Sequence, residues 1–371
     1  MKKIVYISLI LALCVGCVLD YTPSDYQFDE GELVVEGLIT DDTSSFTLTK
    51  SVDLIEKLEL IYVDDAWVAV ECDNGETFPA SAEGNGVYKI SNGALKKECR
   101  YRLTIHYKDQ EYQSDFLSPL FTPEIDSISW IKEAQGAPVQ ICVSSTDTEQ
   151  QSHYYKWSYR EVWEYHATFW ANAGYVKDEH GVERFQSFDE FTSNNRYYCW
   201  TNNQSKKILI GSTEKLTGYV LYKKPMYEVA PSNERLSVVY YVEVTQNLIR
   251  KDNYDYLYNM QKNTEESGGL FTPIPSEMKG NIRNITNPRE RVIGYVDVST
   301  SKKKERYIWR DEVYEVYRNN CWASITDIRL QGYDILFKGA ETTYAPKRCV
   351  DCTGGDPRRK IKPENWPTSH F

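Results

Sequence analysis

The segment that decides the fold runs from Asp252 to Thr300 and reads DNYDYLYNMQKNTEESGGLFTPIPSEMKGNIRNITNPRERVIGYVDVST. Asp252 can accept hydrogen bonds from the first backbone N–H groups of a helix. Asp255, three residues later, can accept a hydrogen bond from the Asp252 backbone N–H, as in a weak capping box. Four side chains then recur on one face at helical spacing: Tyr254, Leu257, Tyr258 and Gln261. The pattern predicts a helix of about three turns.

The helix is expected to end at Ser267-Gly268-Gly269, because glycine readily adopts the left-handed conformation that closes a helix. Two prolines hold the following LFTPIP segment away from helix, and Phe271 is expected to anchor that segment in the core. Gly280-Asn281 then turns the chain into the β-branched strand VIGYVDVST. The stretch contains no nucleophile, metal cluster or phosphate loop, so it predicts a structural hub.

The composition indicates a mainly β protein that does not bind nucleic acid. The chain has 371 residues with 29 tyrosines and 9 tryptophans but only 4 methionines. Aromatic side chains of this kind suit the half-buried surface of a sheet. The formal net charge of -11 argues against a nucleic-acid partner, whose phosphates require a basic patch.

The first residues predict export and lipid attachment. Residues 1–17 read MKKIVYISLILALCVGC, with two lysines before an apolar run that is shorter than the roughly 20 residues of a membrane span. Gly16 is the small residue expected ahead of a lipid-attachment cysteine, Cys17, although Cys14 departs from the usual leucine-like residue. An ordinary cleaved leader is the alternative. The polar residues 18–30 are expected to form a tether.

Short strands separated by turns follow the tether. In the run CRYRLTIHY, five alternate side chains share one face: Cys99, Tyr101, Leu103, Ile105 and Tyr107. Strands at this spacing predict an immunoglobulin-like or prealbumin-like β-sandwich over residues 31–121. The PLFTP segment at 119–123 is expected to link it to a larger β-rich domain of unknown function, residues 122–371, with one short helix.

The strongest alternation in the chain is an aromatic row that Glu161 interrupts. Its members occupy odd positions: Tyr155, Trp157, Tyr159, Trp163 and Tyr165. The row is either a sheet face packed on the core, which the polar opposite face favours, or a stacking platform for a glycan or aromatic ligand. Residues 171–206 are expected to form a long polar excursion. The tryptophans considered as ligand contacts are therefore Trp157, Trp163, Trp170 and Trp200.

Seven cysteines follow the leader, and export would place them in an oxidising compartment: Cys72, Cys99, Cys142, Cys199, Cys321, Cys349 and Cys352. An odd number predicts at least one unpaired, buried thiol. For Cys349-x-x-Cys352 we favour a disulfide that pins the tail, because a zinc site would need a second close ligand pair. Cys72 ends one strand and Cys99 begins another, so a disulfide between them is possible. No metal ion or cofactor is predicted.

No catalytic constellation is predicted. The sequence has no GxSxG elbow, and His153 and His166 occupy opposite parities of one strand, so they face opposite ways. The best material for a hydrolase is Glu161, Glu164 and His166, which would have to converge in three dimensions.

Several runs together resemble the outer-membrane lipoproteins of domain-of-unknown-function family 4249, from Bacteroides-type bacteria. They are YDYL…GGLFTPIP…KGNI…VIGYVDVS, VVEGLIT near the start, YYKWSYREVWEY in the middle, and CVDCTGG…KPENWP at the end. The resemblance covers nearly the whole chain after the leader. It implies an outer-membrane lipoprotein that accompanies a TonB-dependent transporter, and it implies no catalytic residues.

Three functions follow as hypotheses. The first is a lipid-anchored binding or accessory protein of the outer membrane, working beside a TonB-dependent transporter in nutrient uptake. The second is an exported hydrolase, and the third is a structural or adhesive envelope protein. The sequence leaves open whether the protein faces the cell surface or the periplasm.

Overall fold

The computed structural model describes residues 31–52, 60–171, 173–177, 179–187, 196–216, 218–266, 279–314, 321–324, 333–338 and 341–367. Within these ranges the protein is mainly β, as the sequence predicts. None of the helices there has the length and apolar character that a membrane span requires. Residues 1–17 with Cys17, the tether at 18–30, and the predicted helix end with Gly268 and Phe271 lie outside the described residues.

The described strands are numbered in chain order. The first nine are β1 (Leu33–Leu38), β2 (Asp42–Lys50), β3 (Ile61–Tyr62), β4 (Trp67–Cys72), β5 (Thr77–Pro79), β6 (Ser81–Gly84), β7 (Val87–Gly93), β8 (Tyr101–Tyr107) and β9 (Gln110–Ser114). The next nine are β10 (Ile125–Ile131), β11 (Val139–Thr146), β12 (Tyr154–His166), β13 (Ala173–Lys177), β14 (Glu183–Ser187), β15 (Tyr198–Gln204), β16 (Leu209–Ser212), β17 (Val220–Val229) and β18 (Val239–Ile249). The last five are β19 (Ile282–Asn284), β20 (Val292–Ile293), β21 (Ser301–Trp309), β22 (Tyr333–Lys338) and β23 (Glu341–Pro346).

Helical structure is sparse in the described part of the chain. The helices are α1 (Lys251–Glu266), α2 (Arg310–Val313) and α3 (Lys347–Val350), with 3-10 turns at Glu234–Leu236 and Pro357–Lys360. The predicted single helix corresponds to α1, which is longer than the sequence pattern indicates.

Two sheets pack together as the first β-sandwich. One has the spatial order β20-β1-β2-β7-β6 with β3 beside β2, and the other has the order β19-β9-β8-β4-β5. Alternate side chains of each strand point between the sheets, since successive residues of a strand face opposite ways. The predicted apolar face of β8 is confirmed, because Tyr101, Leu103 and Ile105 are buried in this core.

The first sandwich is built from two separate parts of the chain. β19 pairs antiparallel with β9, and β20 pairs parallel with β1. Ile282 and Val298 from the same return segment are buried in the sandwich core. The predicted division into 31–121 and 122–371 is therefore corrected: residues 279–300 complete the first sandwich, because their apolar side chains fill its core.

The second unit is also a layered β structure. A sheet of order β10-β11-β17 packs on a sheet of order β15-β12-β18-β21, in which β16 lies beside β12. Four aromatic side chains of β12 are buried between the sheets: Tyr155, Trp157, Trp163 and Tyr165. The prediction that this row faces the core is confirmed. The excursion predicted over 171–206 contains regular structure, namely the β13–β14 hairpin and β15.

Two connections between the units run side by side. The predicted linker at 119–123 meets residues 298–300, where the Leu120 N–H donates to the Val298 carbonyl at 3.0 Å. The Thr122 N–H donates to the Thr300 hydroxyl at 2.9 Å, and both residues are buried. Pairing of this kind makes the junction part of the folded structure rather than a loose linker.

The start of α1 is held by Asp297, not by the predicted cap Asp252, which is exposed. Asp297 is fully buried, and its carboxylate accepts from the Arg250 N–H at 2.8 Å and from the Asn253 side-chain amide at 3.3 Å. The Arg250 guanidinium forms a further ion pair with Asp297 and donates to the Ser118 carbonyl. One buried carboxylate thus ties the helix, the first sandwich and the junction together.

Candidate functional site

A polar cavity opens at one edge of the sheet that contains β12, β18 and β21. The antiparallel pairing sets the end of β12, the start of β18 and the end of β21 at the same edge. The cavity has a volume of about 410 Å³, and we call it the sheet-edge pocket; its lining residues are His166, Ser237, Val238, Trp309, Arg310 and Asp311.

A histidine held by a buried carboxylate lies at this pocket. Glu164 and His166 are two residues apart on β12, so they share the face opposite the aromatic row. The His166 Nε2 lies 2.7 Å from the Glu164 Oε1, and Glu164 is 0% exposed. When Glu164 is ionised, its carboxylate only accepts, and the pair then requires the hydrogen of the imidazole on Nε2. Tyr197 and Tyr198 pack on the imidazole with ring centroids 5.0 and 4.9 Å away.

The second oxygen of Glu164 is occupied by the C-terminal tail. The Trp366 indole N–H donates to Glu164 Oε2 at 2.7 Å, and the indole itself is buried. The Trp366 ring also packs edge-on against Tyr307 of β21, with centroids 5.7 Å apart. A buried carboxylate is costly unless it is hydrogen-bonded, so Trp366 both covers and stabilises Glu164.

Two disulfides hold the tail in this position, which agrees with the prediction that disulfide bonding pins the tail at Cys349 and Cys352. Cys352 is bonded to Cys199 of β15, and Cys349 is bonded to Cys321. Both cysteines of the Cys349-x-x-Cys352 motif are thus in disulfides, as the sequence predicts, and each is paired with a distant cysteine rather than with the other. Cys349 lies within α3 and Cys352 lies beyond it, which directs the two sulfurs to different neighbours. The Tyr165 hydroxyl adds a hydrogen bond of 2.9 Å to the Cys352 carbonyl.

The sequence from residue 19 to residue 305 matches the model of the family described as Domain of unknown function (DUF4249). The chain belongs to this family. The matched range includes Glu164 and His166 and ends before Trp309 and Trp366. A search of the curated proteins finds no match to this DUF4249 chain.

Three of the four tryptophans predicted as ligand contacts in this DUF4249 protein are buried. Trp157 lies in the core of the second unit, and its indole N–H donates to the Gln246 side chain at 2.9 Å. Trp163 lies under the Arg235 guanidinium, which is 5.0 Å from the ring centroid. Trp200 is buried on the other face of the sheet. These three predictions are corrected, because large apolar rings at alternating positions pack into the cores instead.

Trp170 and Trp309 are the more accessible indoles near the site. Trp170 is half-buried against Tyr197 and Tyr198, at centroid distances of 4.9 and 5.8 Å. Trp309 lines the sheet-edge pocket and is 42% exposed. Sequence reasoning missed Trp309 because it closes an otherwise polar strand; its position directly before Arg310 and Asp311 was the available signal.

Glu161 faces away from Glu164 and His166, and its buried carboxylate forms hydrogen bonds and an ion pair in the core of the second unit. Its carboxylate accepts from the Tyr240 hydroxyl at 2.5 Å and from the Asn203 amide at 2.8 Å, and it pairs with Arg235 at 3.0 Å. Burial holds the pKa of Tyr240 well above the usual phenol value, so the hydroxyl stays protonated and can donate. The three residues suggested for a hydrolase therefore divide between two faces of one strand.

The remaining predicted disulfide pair, Cys72 and Cys99, is present as two buried thiols with no bond between them. Cys142 is a third free cysteine among the residues that the structure describes and is buried as well, which agrees with the predicted unpaired thiol. The predicted lipid-attachment residue, Cys17, lies outside the described residues.

The functional groups that line the sheet-edge pocket include the imidazole of His166, the guanidinium of Arg310, the carboxylate of Asp311 and one face of the Trp309 indole.

Proposed function

We propose that this protein is a lipid-anchored binding or accessory protein of the outer membrane, working beside a TonB-dependent transporter in nutrient uptake. The observation that carries the anchoring is the leader, in which a short apolar run ends at Gly16 and Cys17. The polar residues 18–30 then give the first strand at Leu33 a tether to the membrane. The resemblance that implies a transporter partner supports the second half of the proposal.

The sheet-edge pocket supports a binding role. Arg310 offers hydrogen-bond donors, Asp311 offers acceptors, His166 offers an imidazole ring, and Trp309 offers a partly exposed aromatic face. A few convergent polar groups beside one aromatic surface suit a small polar solute that carries hydroxyl or carboxylate groups. Such a solute is the kind of nutrient that an accessory protein would hold near a transporter.

Replacing Cys17 with serine is expected to move nearly all of the protein from the membrane pellet to the soluble fraction. Serine cannot carry the thioether-linked lipid, and each buried CH₂ group of an acyl chain contributes about 0.8 kcal/mol to anchoring. Fractionation followed by immunoblotting measures the distribution. Cys14→Ser in the same leader is the matched control and is expected to stay in the pellet.

Membrane retention of Cys17→Ser would contradict the anchoring. The partner is tested in the same membranes, by chemical crosslinking of the wild-type protein and identification of the crosslinked chain. A plug-and-barrel transporter crosslinked to the wild-type protein and lost with Cys17→Ser supports the accessory role. Recovery of no transporter would count against it.

An exported hydrolase is the second candidate, and the Glu164–His166 pair favours it, since a carboxylate that orients a histidine is one part of a catalytic triad. We nevertheless expect wild-type protein and His166→Asn to hydrolyse p-nitrophenyl esters and glycosides at the same background rate. The Ser237 hydroxyl, which lines the pocket, donates to the Glu234 carbonyl at 2.7 Å and is engaged there. His153→Asn is the control, and a rate that depended on His166 alone would replace the binding proposal.

A further inference from the structure

Two buried thiols lie beside each other in the first sandwich. Cys72 is the last residue of β4, and Cys99 lies just before β8, the strand that pairs with β4. Their sulfur atoms lie within 4.8 Å of each other. Burial, followed by the hydrogen bond with Cys99, raises the pKa of Cys72 to about 11. Cys142 lies on β11 in the second unit and is no partner for either.

The backbone around the two thiols is already fixed. The Asp73 N–H donates to the Arg100 carbonyl at 2.9 Å, and the Arg100 N–H donates to the Asp73 carboxylate at 3.0 Å. The Arg100 guanidinium also donates to the Asp73 carboxylate, with its Nε 2.9 Å from the Asp73 Oδ2. In the folded sandwich, the backbone on both sides of the pair is held in place, so the orientation of the two side chains alone decides whether the sulfurs lie at the distance of about 2.05 Å of a disulfide bond.

We propose that Cys72 and Cys99 form a redox site that is oxidised to a third disulfide as the protein folds outside the cytoplasm, leaving Cys142 as the sole thiol of the folded body. The oxidant is a disulfide, carried by an exported thiol oxidoreductase or by a small molecule. The proposal rests on the export included in the proposed function.

The reaction is two successive thiol–disulfide exchanges. One cysteine thiolate attacks a sulfur of the oxidant, which forms a mixed disulfide and releases one thiolate of the oxidant. The second cysteine thiolate attacks the protein sulfur of that mixed disulfide, which forms the Cys72–Cys99 bond and releases the second thiolate. Two electrons pass to the oxidant, and the two thiol protons leave. Since both sulfurs are buried in the folded sandwich, we expect the exchange to occur before it closes.

A metal ion is the competing occupant of this position. Asp73 brings a third ligand atom within 4.8 Å of both sulfurs. Its carboxylate is already engaged by the backbone and side chain of Arg100, and structural zinc sites are almost always built from four ligands. Disulfide formation satisfies both sulfurs without breaking the Asp73–Arg100 pair.

The experiment is a thiol count on the full-length protein purified from the envelope without reductant. The protein is denatured, alkylated with a maleimide, digested and mapped by mass spectrometry, while its zinc content is measured separately. We expect one alkylated residue in the folded body, Cys142, and a linked peptide pair containing Cys72 and Cys99 that is lighter by two hydrogens than the two thiol peptides. Cys72→Ser is expected to add one alkylated residue, Cys99, and Cys142→Ser is expected to leave none.

The disulfides Cys199–Cys352 and Cys321–Cys349 are internal controls for the oxidising compartment. If they are linked while Cys72 and Cys99 are both alkylated, the redox site is overturned and the export stands. If no cysteine is linked, both the redox site and the export are overturned. Stoichiometric zinc that is lost with Cys72→Ser would also overturn the disulfide in favour of a metal site.

Discussion

Replacing Asp297 with alanine is expected to lower the free energy of unfolding by about 3–5 kcal/mol, because it removes a buried carboxylate and leaves the half-buried Arg250 side chain and two backbone N–H groups without their acceptor. Asp297 is fully buried and pairs with the Arg250 side chain, while its carboxylate also accepts from the Arg250 and Val298 N–H groups at 2.8 and 2.9 Å. The loss would therefore reach both units. Urea unfolding followed by tryptophan fluorescence measures it.

Asp252→Ala is the matched control for Asp297→Ala. Asp252 is the helix cap that the sequence indicates, but it is exposed, and surface changes away from a cap usually stay within about 0.5 kcal/mol. Asp297→Asn keeps the shape and removes the charge, so it separates the ion pair from the packing. Equal destabilisation by Asp252→Ala and Asp297→Ala would show that the local cap, rather than the long-range pair, holds α1.

The strands of the first sandwich could be predicted because their pattern is local. Alternation along the chain identifies β8 and shows which of its faces is buried, whatever the neighbouring strand is. The pairing of β19 with β9 could not be predicted in the same way. Ile282 and Ser114 are brought together by a chain path through β10 to β18 and α1, and a three-residue strand carries too little pattern to identify its partner.

The aromatic row of β12 shows what an alternating sequence pattern can predict and what it cannot. Its parity correctly predicts that Trp157 and Trp163 face one side and that Glu164 and His166 face the other. The polar residues of the opposite face predict that it is exposed to solvent, but Glu164 on that face is fully buried. Trp366 covers it, and no local pattern links a tail residue to a strand residue 202 positions earlier.

The disulfides could not be paired from sequence for a similar reason. Cys349 and Cys352 are close in the chain, but the geometry of a disulfide depends on where the Cβ atoms point, and α3 separates the two directions. Once the tail lies over β15, Cys352 meets Cys199 at a Cα separation of 5.9 Å. The disulfide pairing could therefore be predicted only if the position of the tail over β15 were already known.

Replacing Trp366 with alanine is expected to lower the free energy of unfolding by about 3–5 kcal/mol, the usual cost of removing a large buried aromatic side chain. The indole is buried against Tyr307 and donates to Glu164, so its removal also uncovers a carboxylate behind the sheet-edge pocket. Two disulfides hold the tail backbone in place, so we expect the change to act at the side chain rather than by releasing the tail.

Trp366→Phe separates burial from hydrogen bonding at this position. Phenylalanine keeps most of the apolar area and removes the N–H donor to Glu164 Oε2, which should cost about 1–3 kcal/mol, the penalty of a lost buried partner. If the bond to Glu164 is the cause, the loss in Trp366→Phe should shrink when Glu164 is also replaced by glutamine, and urea unfolding of the four proteins in this cycle measures the coupling. A loss in Trp366→Phe as large as that in Trp366→Ala, unchanged by Glu164→Gln, would show that indole packing rather than the Glu164 hydrogen bond secures the tail over the site.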